Sequence, residues 1–419
     1  MTDKKITLLT ISDHPLSPSG VGIQTKNMIK ALLDTGRYRV VSLGGAVKHP
    51  DYTPQKNIED YGDDWVIIPV DGYGSQEQIR SILRNQKPDI MWFMTDPRFW
   101  DWLWQMDNEI REHVPMIYYH VWDNYPAPVF NKPFYESNDL VVCISKLTRD
   151  IVNEVTDKVE NIYLPHVVDS EFFKPMKDEE IEKLRESHGL KDKVVFFWNN
   201  RNARRKQSGS LVYWFNHFAN EVGKDKVCLI MHTDPRDPYG QDLDHLINHF
   251  GANEGQIMIS REKVGLEELS AMYNVADCTI NISDAEGFGL ATLESLSCGT
   301  PIIATMTGGL QEQVTDGENW FGIGLEPDSK SLIGSQQVPY IFEDRLSEEQ
   351  VVGALKKMYE MSSEDRKKLG AEGRQHVLNN YSFEDYKKNW IEVIDRVYEE
   401  HGSWENRKKY QSWQLIKIA

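Results

Sequence analysis

Residues 284–314 read DAEGFGLATLESLSCGTPIIATMTGGLQEQV, and the predicted fold follows from this stretch. The apolar residues 278–283 just before it predict a buried strand, and the glycines at 287 and 289 predict a tight loop. From 290 to 298 the apolar side chains recur at helical spacing, which predicts a helix packed on a sheet. That helix ends at a Gly-Thr-Pro turn, and residues 302–304 predict a second strand. The unit is therefore strand, glycine loop, helix, strand.

This unit has a chemical consequence at the start of the helix. The first backbone N–H groups and the positive end of the helix dipole attract anions, and glycines let a phosphate approach the backbone. Glu286 precedes the loop, and Glu294 follows after seven residues, roughly two turns into the helix at about 1.5 Å per residue. Phosphate at the helix start with hydroxyl-binding carboxylates on either side predicts a nucleotide that bears a sugar. A plain glycine turn with two surface glutamates is the alternative.

The same stretch resembles the retaining GT-B glycosyltransferases of family 4. The family's motifs occur here in order: a Glu-x7-Glu pair, a Gly-x-Pro turn at 299–301 and a Gly-Gly-x-x-Glu loop at 308–312. The resemblance covers the chain from Ile6 to about Tyr398. It implies an α/β protein of two Rossmann-like domains whose parallel sheets face each other across a cleft. In the family a nucleotide-diphosphate sugar binds at this stretch, here through Glu286, Gly287, Phe288, Gly289, Leu290 and Glu294.

The composition fits a globular protein and argues against several classes of function. The chain has 419 residues, of which 40% are hydrophobic and 27% are charged, enough for two domains of ordinary size. A formal net charge of -18 argues against binding to nucleic acid or anionic lipid. No apolar run approaches the ~20 residues that span a bilayer, and the N-terminus lacks a signal-peptide pattern.

The cysteines indicate a reducing compartment. The four of them are scattered, three lie in apolar runs, and none belongs to a Cys-x-x-Cys pair. We therefore expect reduced core cysteines in a cytoplasmic protein. They are Cys143, Cys228, Cys278 and Cys298.

Strands alternate with helix-like segments in both halves, which predicts parallel, doubly wound sheets. We assign residues 1–175 to an N-terminal acceptor domain and residues 176–381 to a C-terminal donor domain. Residues 382–398 predict a long amphipathic helix, which in the family crosses back to the first domain; residues 382–419 therefore form a third segment. The tail at 401–419 is expected to pack on the protein, and residues 331–338 predict a loop without an obvious family counterpart.

A second strand, glycine loop and helix lies at the N-terminus. The strand covers residues 6–11, and the helix covers residues 23–33. The loop resembles the family's Gly-Gly-x-Gly motif, which contacts the donor from across the cleft through Gly20 and Gly22. Ser19 replaces the motif's first glycine. An ordinary turn between strand and helix is the alternative.

His120 ends the predicted strand at 116–120. A histidine at the carboxyl end of a parallel strand lies at the ligand edge of such a sheet. It resembles the family's histidine that bonds the transferred sugar, and a purely structural role is the alternative.

An aromatic cluster precedes that strand. Trp100, Trp102 and Trp104 alternate in a way that does not fit one helical face. This spacing predicts that some of the three are exposed or line a cleft, where aromatic rings stack on acceptor sugars. Packing in the core or between the domains is the alternative.

Four cations within six residues follow the strand at 194–198. Arg201 and Lys206 match the family's Arg and Lys at that spacing, although Asn200 and Gln207 replace two of its usual glycines. A guanidinium and an ammonium at the end of a strand suit a diphosphate. Arg261 follows a later strand, at the point where the family binds the nucleotide base.

The resemblance implies a hexosyltransferase of carbohydrate biosynthesis that moves a sugar from a nucleotide-diphosphate sugar to a hydroxyl of a glycan or small molecule. Glu294 would bind the ribose hydroxyls, and Glu286 and His120 the sugar. Arg201 and Lys206 would neutralise the leaving diphosphate, on which charge develops in the transition state. We expect no metal requirement and no resident cofactor, because these cations and the helix dipole can neutralise the diphosphate without a divalent metal. Retention of configuration through a front-face route or through a covalent intermediate on Glu286 is left open.

Two other classes share the architecture. A phosphorylase would need a phosphate acceptor, and an epimerase would release free nucleotide without a second sugar. A non-catalytic protein that binds nucleotide sugars or glycans is the remaining class. The presence together of Glu286, Glu294, Arg201 and Lys206 argues against it. The base, the sugar, the acceptor and the oligomeric state do not follow from the sequence.

Overall fold

The computed structural model describes residues 4–413, and these form two α/β domains. Residues 1–3 and 414–419, which belong to the first predicted domain and to the predicted tail, lie outside the described residues. Both domains are built on parallel sheets, so the predicted pair of Rossmann-like domains is confirmed.

The N-terminal domain has a sheet in the order β3-β2-β1-β4-β5-β6-β7, with every neighbouring pair parallel. Its elements are β1 Ile6–Asp13, α1 Gly20–Leu33, β2 Tyr38–Gly45, β3 Trp65–Pro69, α2 Gln76–Gln86, β4 Ile90–Thr95, α3 Asp101–Trp104, α4 Asp107–Arg111, β5 Met116–His120, α5 Lys132–Glu136, β6 Leu140–Cys143, α6 Lys146–Val155 and β7 Glu160–Tyr163.

The C-terminal domain has a parallel sheet in the order β10-β9-β8-β11-β12-β13 and a separate antiparallel pair, β14-β15. Its elements are α7 Asp178–Ser187, β8 Val194–Asn199, α8 Ser208–Val222, β9 Val227–His232, α9 Leu243–His249, β10 Ile257–Ser260, α10 Leu266–Val275, β11 Cys278–Asn281, α11 Leu290–Ser297, β12 Ile302–Thr305, α12 Gln311–Val314, β13 Gly322–Leu325, β14 Ser329–Ile333, β15 Ile341–Arg345, α13 Glu348–Glu360, α14 Ser363–Asn380 and α15 Phe383–His401.

The strand order reverses once in each parallel sheet, between β1 and β4 in the first and between β8 and β11 in the second. In doubly wound sheets a ligand binds outside the carboxyl ends of the strands at this switch point. The loops that follow β8 and β11 carry the predicted basic cluster and the predicted glycine loop. The topology therefore brings together two motifs that lie about 80 residues apart in the chain.

The last long helix returns to the first domain. Trp390 of α15 is fully buried, with its ring 5.9 Å from Trp92 and 4.9 Å from Tyr119. The following residues pack there too, because Trp404 stacks on His113 and donates a hydrogen bond to the carbonyl of Pro88 at 2.9 Å. The helix and the described part of the tail thus complete the core of the N-terminal domain.

The tryptophan cluster is mainly core. Trp100 and Trp104 are buried around Phe93 and Tyr118, whereas Trp102 is half-buried at the edge of the same cluster. Trp100 and Trp104 share a face because α3 is a single turn that begins directly after Trp100. Of the two interpretations, packing in the core is confirmed for these two side chains.

The prediction of a loop at residues 331–338 is wrong for the first three residues. Residues 331–333 belong to β14, which pairs with β15 to form a hairpin. The stretch Ser-Lys-Ser-Leu-Ile lacks the apolar run that marks the buried strands, so its strand character was not recognised. The strands β7 and β13 were missed as well, and each has four residues.

All four cysteines are buried and free, in agreement with the prediction. Among residues 4–413, no helix is both long enough and apolar enough to cross a membrane.

Candidate active site

The glycine loop after β11 is shaped by close backbone packing. Gly289 has a φ of 92°, and Gly308 has a φ of 50°, both in the left-handed region that favours glycine. The N–H of Gly309 donates to the carbonyl of Glu286 at 3.1 Å, and a Cβ on Gly308 would collide with that same carbonyl oxygen. The Gly-Gly motif therefore fixes the backbone of Glu286.

The N-terminus of α11 is open to an anion. Within residues 4–413 no side chain caps this helix, and Gly289 occupies its N-cap position. The first N–H groups of a helix need partners, and a phosphate oxygen is a suitable one. The geometry is compatible with the predicted anion site, and binding of an anion there stays a prediction.

Lys206 and Glu286 form an ion pair beside this loop. Their side chains are 8% and 13% exposed, so both charges are largely removed from water. Lys206 ends a 3₁₀ turn after β8, and the next residue, Gln207, has a φ of 54°. The side-chain amide of Gln207 donates to Asp284 at 2.7 Å. Gln207 therefore adopts the left-handed backbone that the family's usual glycine would supply.

Burial and mutual attraction set the charge states of this pair. Burial lowers the pKa of Lys206, Glu286 opposes this shift and Arg205 adds to it, and the resulting pKa is about 8. Burial raises the pKa of Glu286, but the charges of Lys206 and Arg205 outweigh burial, and the pKa ends below its usual value. At neutral pH the pair is therefore an ammonium facing a carboxylate.

The second cation beside Glu286 is Arg205. Its guanidinium donates to the carbonyl of Ala285 at 2.9 Å and lies 4.0 Å from the Glu286 carboxylate. Arg201, the residue predicted from spacing, points elsewhere. It pairs with Asp237 at 2.6 Å and lies over the ring of Tyr239, with 61% of its side chain exposed.

Arg261 also has a partner outside the cluster. It follows β10 and pairs with Asp244 at 2.6 Å, with about half of its side chain exposed. Its role at the nucleotide base and that of Arg201 at the diphosphate stay predictions.

Glu294 lies on α11 about one turn beyond Leu290, rather than the two turns expected from the sequence. The hydroxyl of Tyr273 donates to its carboxylate at 2.6 Å, and the amide of Asn199 donates to that hydroxyl at 2.8 Å. Burial raises the pKa of Glu294 to about 7, although the Tyr273 bond opposes the shift. These two hydrogen bonds, from Asn199 to Tyr273 and from Tyr273 to Glu294, orient one oxygen of the Glu294 carboxylate. The other oxygen has no side-chain donor among the described residues.

The N-terminal domain faces this site through its own glycine loop. Ser19 caps α1 by accepting from the N–H of Gly22 at 3.0 Å, and it donates to Asp13 at 2.6 Å. A Cβ on Gly22 would lie 2.7 Å from the carbonyl oxygen of His14, so the turn requires glycine. A Cβ on Gly20 would lie 3.0 Å from Leu290 of the other domain. The predicted loops therefore meet across the cleft.

His120 is fully buried rather than open to the cleft. One ring nitrogen bonds the hydroxyl of Tyr135 at 3.0 Å, and its Nδ1 has no partner among the described residues. Burial lowers its pKa to about 3, so the ring is neutral. Contact with the transferred sugar stays a prediction.

Asp123, three residues after His120, is the group that the N-terminal domain presents to the cation cluster. Its carboxylate lies 3.7 Å from Arg205 and is 23% exposed. Burial raises its pKa, and Arg205 opposes that shift. No sequence motif assigned a role to this residue. Its position just after a strand end was the signal that could have identified it.

Comparison with known proteins shows similarity to glycosyltransferases. Residues 236–376 match the family model "Glycosyl transferases group 1". Sucrose-phosphate synthase from Thermosynechococcus elongatus has the same fold, with a TM-score of 0.74 at 15% identity, covering 94% of this chain and 100% of that one. A structure of HepE from Anabaena in complex with UDP and glucose gives a TM-score of 0.69 at 15% identity, covering 93% and 100%.

The chain has the GT-B fold, and its residues 236–376 are similar to the glycosyl transferases group 1 domain. It is similar to alpha-monoglucosyldiacylglycerol synthase of Streptococcus pneumoniae, with 28% identity over 55% of this chain and 51% of the relative. It is also similar to the GDP-mannose-dependent alpha-(1-6)-phosphatidylinositol monomannoside mannosyltransferase of Mycolicibacterium smegmatis, with 28% identity over 43% and 47%. The matched region spans about half the length of these curated relatives.

Raising the pH above about 8 should weaken the binding of a nucleoside diphosphate, because the ammonium of Lys206 is present below its lowered pKa and is lost above it. Where binding depends on that charge, affinity falls about tenfold per pH unit. Calorimetric titration of UDP, GDP and ADP at several pH values measures this dependence. Lys206→Arg is the matched control, since a guanidinium stays charged throughout the range. An equal fall in that variant would assign the dependence to another group.

The two glutamates should separate in function. At a pH above about 7, where the carboxylate of Glu294 is ionised, Glu294→Gln should weaken the binding of free nucleoside diphosphate and of intact donor alike. The expected loss is roughly 10- to 100-fold, because a charged hydrogen-bond acceptor is removed. Glu286→Gln should keep the affinity for diphosphate and lower kcat, since it frees Lys206 for the phosphate and removes a sugar contact. Calorimetry and transfer rates on both variants test this assignment. The opposite pattern would show that the roles are reversed.

Proposed function

We propose that this protein is a glycosyltransferase that moves a sugar from a nucleotide-diphosphate sugar to a hydroxyl acceptor. The observation that carries the proposal is the arrangement of Lys206, Arg205 and the open N-terminus of α11 around Glu286 at the switch point of the donor-domain sheet. Two cations and a helix dipole suit a diphosphate better than any other common ligand group. The domain match and the fold support the same class.

The chemistry that these residues perform is stabilisation of the leaving group. When the bond between the sugar and the diphosphate breaks, negative charge grows on the phosphate oxygens. Groups that are already in place stabilise that charge without reorganising during the reaction. Lys206 and Arg205 are held in this way by Glu286, Ala285 and Asp123. Glu294 would bind the ribose hydroxyls.

We propose that transfer retains the configuration of the sugar, as in the family that the motifs resemble. Glu286 then serves as a hydroxyl-binding group rather than as a nucleophile. The support is its ion pair with Lys206, because a carboxylate held by an ammonium and a guanidinium is a weakened nucleophile.

We propose that transfer needs no divalent metal, because Lys206 and Arg205 supply the positive charge that a metal would otherwise bring. Transfer should therefore continue at its normal rate in EDTA. The measurement is the initial rate with and without chelator, in protein freed of metal beforehand. Loss of activity that Mg²⁺ or Mn²⁺ restores would overturn the metal-free mechanism.

The donor and acceptor are proposed by class. A UDP-sugar is the first candidate donor, since a neighbour in fold binds UDP and glucose, although curated relatives include an enzyme named for GDP-mannose. The acceptor is a hydroxyl of a glycan, a lipid-linked sugar or a small molecule. We place the reaction in the cytoplasm, because four buried cysteines remain unpaired.

Incubation with UDP-, GDP- and ADP-sugars and a panel of hydroxyl acceptors should yield a glycosylated acceptor. Lys206→Ala should lower the rate by about 10²–10³, the usual cost of removing one donor to a developing oxyanion. Chromatography that separates glycosylated acceptor, sugar phosphate and free sugar measures the outcome. Sugar phosphate as the main product would indicate a phosphorylase, and free nucleotide without a second sugar an epimerase. Binding without turnover over the whole panel would indicate a non-catalytic protein.

A further inference from the structure

The β14–β15 hairpin lies between β13 and α13 and touches both domains. It belongs to the donor domain by sequence, yet its residues contact the loop that follows β5 of the acceptor domain. The sequence motifs assign it no role. Its contacts fall into two groups, one at its base and one toward its tip.

The base of the hairpin is tied to the donor domain by buried charges. Glu343 pairs with Arg204, with 2.9 Å between its Oε2 and the guanidinium Nη1, and Arg345 pairs with both Glu343 and Asp284. The side chains of Glu343 and Asp284 are 2% and 3% exposed. In addition, the N–H of Asp344 donates to the carbonyl of Asp284 at 2.9 Å. Buried charges held by several partners fix a local geometry strongly.

These partners flank the residues of the candidate active site. Arg204 directly precedes Arg205 and Lys206 in the chain, and Asp284 lies two residues before Glu286. The N–H of Asp284 also donates to the carbonyl of Arg205 at 2.8 Å, which joins the two loops. The hairpin base thus braces both loops whose side chains form the Lys206–Glu286 pair.

Toward its tip, the hairpin packs on the acceptor domain. Val338 is buried against Trp122 and Ile151, and Tyr340 meets Phe130 with 5.1 Å between ring centroids. The amide of Asn124 donates to the carbonyl of Phe342 at 2.7 Å.

These contacts hold both chain neighbours of Asp123. Trp122 packs in the cluster with Val338, Asn124 bonds the hairpin backbone, and Asp123 itself faces Arg205 at 3.7 Å. One element therefore contacts the loops on both sides of the cleft beside the reacting groups.

We propose that this hairpin positions the transfer site, with Glu343 and Asn124 as its positioning residues; the proposal rests on the glycosyltransferase function above. Glu343 holds Arg204 and Arg345, and through them the loops that carry Lys206 and Glu286. Asn124 docks the acceptor-domain loop, with Asp123, onto the hairpin. The same hairpin therefore sets the position of the groups that bind the donor phosphates and the position of the acceptor domain.

Substitution of the two positioning residues should affect diphosphate affinity and kcat differently. Glu343→Gln should weaken nucleoside diphosphate binding and lower kcat by about 100-fold, because a displacement of about 1 Å at reacting groups has that effect. Asn124→Ala should lower kcat about tenfold or more and leave diphosphate affinity unchanged, since its bond lies on the acceptor side. Leu332→Ala is the matched control on the same hairpin, because that side chain is 65% exposed, and it should change neither quantity.

The experiment is calorimetry with UDP, GDP and ADP, kcat and KM for transfer, and the melting temperature of each variant without ligand. Wild-type kcat and affinity in Asn124→Ala and Glu343→Gln, even with lowered melting temperatures, would show that the hairpin is merely structural. If Glu343→Gln fails to fold, Asn124→Ala decides alone. Wild-type protein that neither binds diphosphates nor transfers sugar would overturn the proposed function itself. That result is distinct from an active wild type with unaffected variants.

Discussion

The buried pair of Lys206 and Glu286 is the interaction on which the rest of the site depends. Removing both charges from water has a large cost, and loss of either partner would leave an uncompensated charge in a largely dry place. The fold makes the pair feasible because β8 and β11 are neighbours in the sheet, so their following loops meet at the switch point. One of those two loops is also held by the backbone contacts of Gly308 and Gly309, by the hydrogen bond of Gln207 and by the base of the hairpin.

The pair also balances the charges that surround it. Without carboxylates beside them, the neighbouring charges of Lys206 and Arg205 would repel each other. Here Glu286 and Asp123 supply two carboxylates that match the charges of Lys206 and Arg205, so the local charges are balanced. A site whose charged groups are fixed beforehand does not reorganise when charge develops on a leaving group. The formal net charge of -18 is thus compatible with a local site for an anion.

Sequence patterns predicted the parallel sheets and the two loops because apolar runs, glycines and prolines act locally. Lys206, Glu286 and Glu294 could be named from spacing within single loops and helices. Arg205 and Arg201 could not be told apart in that way, because Asp237, which holds Arg201, lies 36 residues away on another loop. The hairpin was missed for a related reason. Its strands are stabilised by ion pairs to Asp284 and Arg204 rather than by an apolar face of their own.

The balance of charge also bears on the contact between the two domains. Asp123 belongs to the N-terminal domain, and its carboxylate contacts Arg205 of the C-terminal domain at 3.7 Å. A diphosphate that takes Arg205 as a partner competes with Asp123 for the same guanidinium. Opposite charges at about 4 Å attract strongly where water is scarce, so this competition weakens one closing contact as the donor binds. The Asn124 bond and the packing of Val338 are independent of that charge. The contact that the hairpin makes between the domains therefore does not depend on Arg205.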